Sequence, residues 1–326
     1  MSTPSLKEKI IVILGPTASG KSDLAVKLAK KFNGEIISAD SRQVYKGLNL
    51  GSGKITKKEM RGIPHHLLDV VSPKKTFTVA QYQKLGQKAI KKILKKNKIP
   101  IICGGTGLYI DALIYGWQFP EVPPQPKLRK KLEKFTNEKL FEKLKKIDPR
   151  RAKNIDKHNR RRLIRALEII IATGKPVPHS HGRVCTAPDI AFGEVKGGRV
   201  AEATSEGAPF VCLKIGIKKS GIELKKSIKK RLIKRLKMGM VKEVKNLHKQ
   251  WLGWKRLDNL GLEYRFISRY LRGIITKKEM ENSIIKESVK YAKRQMTWFK
   301  RDPQIHWIKN QKETLGFIKK FLIPSH

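Results

Sequence analysis

The chain has 326 residues, enough to bury a large core and to form two domains. It carries 73 Lys and Arg against 27 Asp and Glu, a formal charge of +46; this is far beyond what solubility requires and points to a polyanionic partner, either nucleic acid or an anionic membrane surface. No apolar run approaches a membrane span, the N-terminus lacks a signal-peptide pattern, and three widely spaced cysteines (Cys103, Cys185, Cys212) argue against a disulfide framework and a Cys-rich zinc site, so the expectation is a soluble cytoplasmic protein with no membrane partner.

Lys9–Leu14 (KIIVIL) is a short apolar run rich in β-branched residues and fits one buried strand. Gly15 to Ser22 follows as GPTASGKS, a full match to G-x-x-x-x-G-K-[ST], and a helix (SDLAVKLAKKF) comes next. Gly15 and Gly20 permit a tight turn in which the loop of Pro16, Thr17, Ala18 and Ser19 turns backbone N–H groups toward phosphate oxygens. Lys21 reaches the terminal phosphates, the Ser22 hydroxyl is placed to ligate Mg2+, and the helix N-terminus favours an anion. A chance Gly-rich turn is the alternative, rare between such a strand and such a helix. A second strand, Glu35–Ser38, runs into SADSRQVY, which puts Asp40 at a carboxyl edge where open α/β sheets bind ligands. Asp40 is equally well suited to capping a turn, and the residues alone leave both readings open.

Lys98–Cys103 (KIPIIC) is a third buried-type strand, leading into GGTGLY (Gly104–Tyr109) and an apolar helix. The prolines of Phe119–Pro126 mark a linker. Charged helical segments follow, ending with NRRRLIRALEIIIATG and a Gly-Lys-Pro stop. Val211–Ile217 is a strand returning to the sheet, followed by helices GIELKKSIKKRLIKRLK, MVKEVKNLHKQ and a long one near Glu281–Phe299. Charge is uneven: residues 127–162 hold 16 basic and 5 acidic residues, and 218–256 hold 15 and 2. The stretch 180–210 holds 3 and 4, is rich in Ala, Gly and Glu, and reads as a long loop or insertion. His179 and His181 lack an evident third ligand and do not read as a metal site.

An ordered set of motifs resembles the tRNA dimethylallyltransferase (tRNA isopentenyltransferase) family: GPTASGKS, SADSRQVY, PHHLLDV (Pro64–Val70), GGTGLY, NRRRLIRALE (Asn159–Glu168), LKKSIKKRLIKRLKMGMVKEV (Leu224–Val244), LGLEY (Leu260–Tyr264) and YAKRQMTWFKRD (Tyr291–Asp302). GSGKIT (Gly51–Thr56) and GLEY depart from the family's usual GTAKP-like and GYKE-like strings. The resemblance implies an α/β fold, a P-loop NTPase-like parallel sheet flanked by helices, with an inserted helical tRNA-binding domain. Residues 1–117 plus 211–326 would form the core, 118–178 the basic insert, and 179–210 a loop or atypical insertion. It implies transfer of a dimethylallyl group from dimethylallyl diphosphate to N6 of the adenine 3′ of the tRNA anticodon, with Mg2+ as cofactor and the anticodon stem-loop as partner; a monomer is expected.

In that family Asp40 matches the general base, Thr106 a residue near the diphosphate and the reacting centre, and Arg231 an arginine on the diphosphate; Gly15–Ser22 holds the leaving group. Ser41, Gln43, His65, Arg162, Arg165, Lys293 and Arg294 are candidate tRNA contacts. His65 has an equal claim to being a locally bonded loop histidine, Gln43 to being a solvated side chain, and Arg162 and Arg165 to being surface residues. Trp298 and Phe299 read as core. The runner-up function is a nucleoside or nucleotide kinase, disfavoured because KIPIIC ends in Cys-Gly-Gly-Thr without an aspartate for Mg2+. A third class is a non-catalytic RNA-binding module.

Overall fold

β1 (Lys9–Leu14) is buried along its whole length, as a β-branched run covered on both faces must be. The computed structural model describes residues 9–177, 185–186, 210–250, 252–308 and 311–322. The chain divides into two compact units, Met1–Gly116 with Arg183–His326, and Trp117–Gly182.

In the first unit β1 leads to α1 (Lys21–Lys31), β2 (Gly34–Ala39), the single turn α2 (Lys57–Met60), β3 (His65–His66), α3 (Val79–Leu94), β4 (Ile99–Gly104) and α4 (Gly107–Ile114). The second unit contains α5 (Pro126–Leu132), α6 (Asn137–Ile147), α7 (Pro149–Asn154) and α8 (Arg160–Thr173). The first then resumes with β5 (Cys185–Thr186), β6 (Phe210–Ile217), α9 (Gly221–Lys237), α10 (Met240–Gln250), α11 (Trp254–Leu260), α12 (Leu262–Leu271), α13 (Lys277–Phe299), β7 (Ile305–Ile308) and α14 (Gln311–Leu322).

The sheet runs β3-β2-β4-β1-β6, with β5 and β7 both pairing with β6, and every pairing is parallel. Side chains alternate between two apolar layers. Ile10, Val12, Ile37 and Ile102 face the layer built by α3, α4, α10, α12 and α13. Ile11, Ile13, Ile36, Ile101 and Leu213 face α1 and α14. The registers pair Ala39 with Gly104, Gly104 with Leu14, and Leu14 with Gly216. The carboxyl ends of β2, β4, β1 and β6 therefore finish in one transverse row. At the other end of β2, the fully buried Glu35 accepts from Lys96 (2.9 Å) and Lys98 (3.1 Å) and pairs with His66 (2.8 Å).

The strands expected from the sequence are present with ends shifted by a residue. The long C-terminal helix begins at Lys277 rather than near Glu281, because Thr276 and Glu279 form a capping box there. α3 was not expected; it starts on the Thr78–Gln81 capping box. Of the stretch 179–210, only Cys185–Thr186 and Phe210 lie among the described residues; His179 and His181 lie outside them. Cys103 is a free buried thiol and Cys212 is disulfide-bonded, which corrects the expectation that the cysteine spacing argues against disulfide bonding. Among the described residues no helix is long and apolar enough to cross a membrane.

The second unit has its own core of Leu132, Leu140, Leu144, Leu163, Leu167 and Ile170. Its polar keystone is Glu168, fully buried on α8. Glu168 accepts two hydrogen bonds from Arg129 (2.7 Å each), one from Arg165 (2.6 Å) and one from the Gln125 N–H (2.7 Å). Burial alone would raise its carboxyl; these donors instead hold it down at about 2. A depressed carboxyl stabilises the fold above its unfolded value of about 4.5 and loses that contribution as pH falls toward 2. Glu168→Gln should cost about 2–3 kcal/mol, since two arginines lose a charged acceptor but remain partly hydrated. It should also flatten the acid limb of the thermal-unfolding curve between pH 4.5 and 2, and a variant with an unchanged acid limb would contradict this assignment.

Candidate functional site

The phosphate loop follows directly from β1. Gly20 has φ +93° and is the N-cap of α1, and Ala18 also has positive φ (+62°); these turns curl the loop on itself. Within it the Ser19 N–H donates to the Pro16 carbonyl (3.3 Å) and Lys21 Nζ to the same oxygen (3.0 Å). Burial is the largest influence on Lys21 and brings its ammonium down to about 8; Cys103 and Asp40 oppose the drop and Arg231 adds to it. Lys219, just past β6, donates to the Ala18 carbonyl (3.4 Å) and Ser227 (3.3 Å), adding a second ammonium at the loop.

Asp40 follows β2. One carboxylate oxygen accepts from the Arg42 N–H (2.8 Å) and the Gln43 N–H (3.4 Å), an Asx-turn. The other makes no hydrogen bond among the described residues. Turn-capping therefore occupies one carboxylate oxygen and leaves the other open. Thr106 follows β4 as the N-cap of α4, yet its hydroxyl does not cap the helix. Instead Thr106 Oγ1 accepts from the Ser41 N–H (3.1 Å), and the Thr106 N–H donates to the Ala39 carbonyl (3.1 Å). The two loops carrying Asp40 and Thr106 are thus joined by backbone and side chain.

Arg231 reaches the same region from α9. Among the described residues its guanidinium makes no hydrogen bond or ion pair. Burial, then the neighbouring Arg235, pull it below the ordinary arginine range, while Glu263 and Asp40 oppose this. A desolvated cation without an acceptor is a ready binding group for an anion. Arg231 lies against Gly53 (φ +65°), where a Cβ would come within 2.6 Å of its Nη2. The loop carrying Gly53 is itself braced from both sides. Glu243 accepts the N–H groups of Asn49 (3.2 Å), Leu50 (2.7 Å) and Gly51 (3.0 Å) and the Tyr264 hydroxyl (2.8 Å). Arg235 donates to the carbonyls of Leu50 (2.9 Å) and Gly51 (3.2 Å).

Gln43 and His65 line one small cavity with Ser22, Ser38 and Cys103. Gln43 Nε2 donates to the Gly53 carbonyl (3.3 Å), so it is a bonded loop residue rather than a solvated one. His65 Nδ1 pairs with the Ile63 carbonyl (2.8 Å), and burial lowers its pKa. Arg162 and Arg165 lie on α8 in the second unit. Arg162 is exposed; Arg165 is committed to Glu168 and to the Val122 carbonyl (2.9 Å), which gives it a bracing role in that unit. Lys293 and Arg294 are exposed on α13.

The opposite face of α13 carries site residues that the sequence reading did not single out. The Tyr291 hydroxyl bonds the Thr106 side chain, and burial, then Asp40, push its pKa up to about 12. Gln295 bonds both the phosphate loop and the Gly105 turn. In the run Tyr291–Trp298 the charged residues Lys293 and Arg294 stand out in the sequence, whereas neutral polar residues at the inward positions of the helix carry no such signal. Trp298 packs on Gly107 and donates to Asp111 (2.7 Å), and Phe299 is buried, as expected of core residues.

In the phosphate loop the hydroxyl expected to ligate a metal is that of Ser22, exposed on the first turn of α1. That fits Mg2+, which keeps several waters and takes the rest of its ligands from substrate phosphates. The lowered Lys21 gives a pH test. Anion binding needs its protonated form, so inorganic diphosphate should bind most tightly below about pH 8. Affinity should fall above that value by up to about tenfold per pH unit as a proton must be taken up. Lys21→Met should bind more weakly and lose that limb in calorimetric titrations. An unaltered profile would remove Lys21 from the site.

The family model for IPP transferases matches residues 43–302. A tRNA dimethylallyltransferase of Pelotomaculum thermopropionicum is 39% identical over 312 residues, covering 95% of this chain and 93% of that protein. One from Thermoanaerobacter sp. (strain X514) is 41% identical over 324 residues, covering 96% and 97%. The tRNA isopentenylpyrophosphate transferase of Bacillus halodurans superposes with a TM-score of 0.68 at 33% identity, covering 97% of each chain. A eukaryotic dimethylallyltransferase acting on tRNA shares the fold, with a TM-score of 0.76 at 23% identity over 97% of this chain and 79% of that one. With a P-loop-type sheet edge carrying these residues, and similarity over nearly its full length, the chain belongs to the IPP transferase family, that of the tRNA dimethylallyltransferases.

Proposed function

We propose that this chain transfers a dimethylallyl group from dimethylallyl diphosphate to N6 of the adenine 3′ of a tRNA anticodon, releasing diphosphate. The observation that carries the reading is the Asp40 carboxylate, fixed through one oxygen and open at the other, beside a phosphate loop and a half-buried arginine with no acceptor among the described residues. Family membership supports it over a kinase, as does the absence of an acidic residue where β4 ends in Gly104–Thr106.

The exocyclic amine is a weak nucleophile because its lone pair is delocalised into the ring. As the N6–C bond forms and the C–O bond to diphosphate breaks, the amine must lose a proton. The open Asp40 oxygen receives it. Charge developing on the leaving diphosphate is met by the loop's N–H groups, by Lys21 and by Arg231, fixed before reaction. The Ser22 hydroxyl would hold Mg2+, which would supply further charge neutralisation at the diphosphate. Thr106, tied to Ser41, holds the base-carrying loop against the diphosphate turn. The adenine must leave the anticodon-loop stack to reach Asp40, at a cost of a few kcal/mol. Basic residues of the second unit, such as the exposed Arg162, offset this by neutralising tRNA phosphates.

Mass spectrometry of tRNA nucleosides after incubation with dimethylallyl diphosphate and Mg2+ should reveal prenylated adenosine. Asp40→Asn keeps the turn-capping acceptor but loses the base; it should lower kcat by roughly 10²–10⁴-fold with diphosphate binding preserved. Wild-type protein that consumes ATP and leaves the tRNA unprenylated would sink the reading. Arg162→Ser should weaken tRNA binding, reduce the slope of log affinity against log salt by about 1, and leave diphosphate affinity alone. An unchanged salt slope would take Arg162 out of the RNA contact.

A further inference from the structure

Gln295 is 6% exposed and sits toward the C-terminal end of the buried face of α13, far in sequence from the loops it touches. Its Oε1 accepts the Thr17 N–H of the phosphate loop (2.9 Å). Its Nε2 donates to the carbonyl of Gly105 (2.6 Å), the residue before Thr106. The two partners fix the amide's orientation, since a backbone N–H can only donate and a carbonyl can only accept. One planar group therefore spans the loop that cradles the leaving group and the turn that carries Thr106, which in turn holds Ser41 beside Asp40. A Cβ on Gly105 would lie 2.3 Å from Gln295 Nε2, so the glycine is the space in which the amide sits.

We infer that Gln295 is a positioning residue that sets the spacing between bound diphosphate and the Asp40–Thr106 pair; this rests on the proposed transfer reaction. The phosphate loop keeps its own turn through the Ser19 and Lys21 bonds to Pro16, so it binds diphosphate without help from Gln295. What the amide adds is registry of that loop against the base. Errors of about 1 Å in such registry cost on the order of 10²-fold in rate.

Three variants separate the possibilities. Gln295→Glu keeps an acceptor for Thr17 but turns a carboxylate oxygen onto the Gly105 carbonyl. Gln295→Met removes both bonds at similar volume. Gly105→Ala leaves Gln295 in place and evicts its amide. Each should lower kcat for prenyl transfer by roughly 10²-fold, with KM for dimethylallyl diphosphate and the affinity for inorganic diphosphate changed by less than about threefold. The Gly105→Ala/Gln295→Met double variant should fall no further than either single one, because both remove the same bridge. Amide exchange reads the bridge independently of catalysis. The Thr17 N–H should exchange faster in Gln295→Met and Gly105→Ala and stay protected in Gln295→Glu.

A kcat within about threefold of wild type in all three variants would overturn the inference, as would multiplicative losses in the double variant. A parallel loss of kcat and diphosphate affinity with a lowered Tm would also overturn it, in favour of a purely structural residue. Thr17 exchange that ignores all three changes would remove the bridge itself. Wild-type protein that fails to prenylate while the exchange pattern holds would instead sink the functional reading.

Discussion

Parallel pairing of β2, β4, β1 and β6 puts Ala39, Gly104, Leu14 and Gly216 in one row, and everything reactive is hung from that row. The next residues of three strands are Gly15, Asp40 and Gly105, so the phosphate loop, Asp40 and the Thr106 turn emerge side by side. The register is pinned at the far end of the sheet, where buried Glu35 meets Lys96, Lys98 and His66. Sliding β2 by one residue would turn Glu35 to the other apolar layer and strand its charge. A buried carboxylate with half-exposed cationic partners at one end of the sheet thereby helps to fix the strand ends at the other.

Alignment of strand ends leaves the loops beyond them free to splay, and the fold restrains them with side chains from the C-terminal helices. Glu243 and Arg235 grip opposite polarities of the same backbone turn, the carboxylate taking N–H groups and the guanidinium taking carbonyls. That turn then presents Gly53 to Arg231. In the second unit Arg129 and Arg165 perform the equivalent service around Glu168. A chain this basic invites the assignment of every arginine to RNA, yet several of them are internal braces that only an accounting of carboxylates and carbonyls reveals.

Local signals carried the sheet's inner strands, the phosphate loop and the helical segment rich in Lys and Arg. Each rests on contiguous residues: KIIVIL for a covered strand, GPTASGKS for an anion-binding turn, a proline run for a boundary. Asp40 was ambiguous because the signature of an Asx-turn and that of a base at a strand end are the same residue; the structure shows the turn and leaves the second oxygen open for the proposed role. The two-residue strands β3 and β5 are too short to leave a period. Gln295 and Tyr291 were invisible for a different reason. Their partners are hundreds of residues or more than a hundred and eighty away, and a neutral amide on a helix face carries no local mark of what it will meet.

The divided use of Asp40 explains why the chain ends β2 with this acid and not its longer homologue. An Asx ring closes because a single methylene separates carboxyl from backbone; glutamate's extra carbon would open the ring and free the side chain to swing. Anchored at Oδ1, the aspartate is held in place by its own turn. In the proposed reaction a proton taken up at Oδ2 would sit at an atom that the turn does not need, so its discharge to solvent would leave the chain that carries it undisturbed.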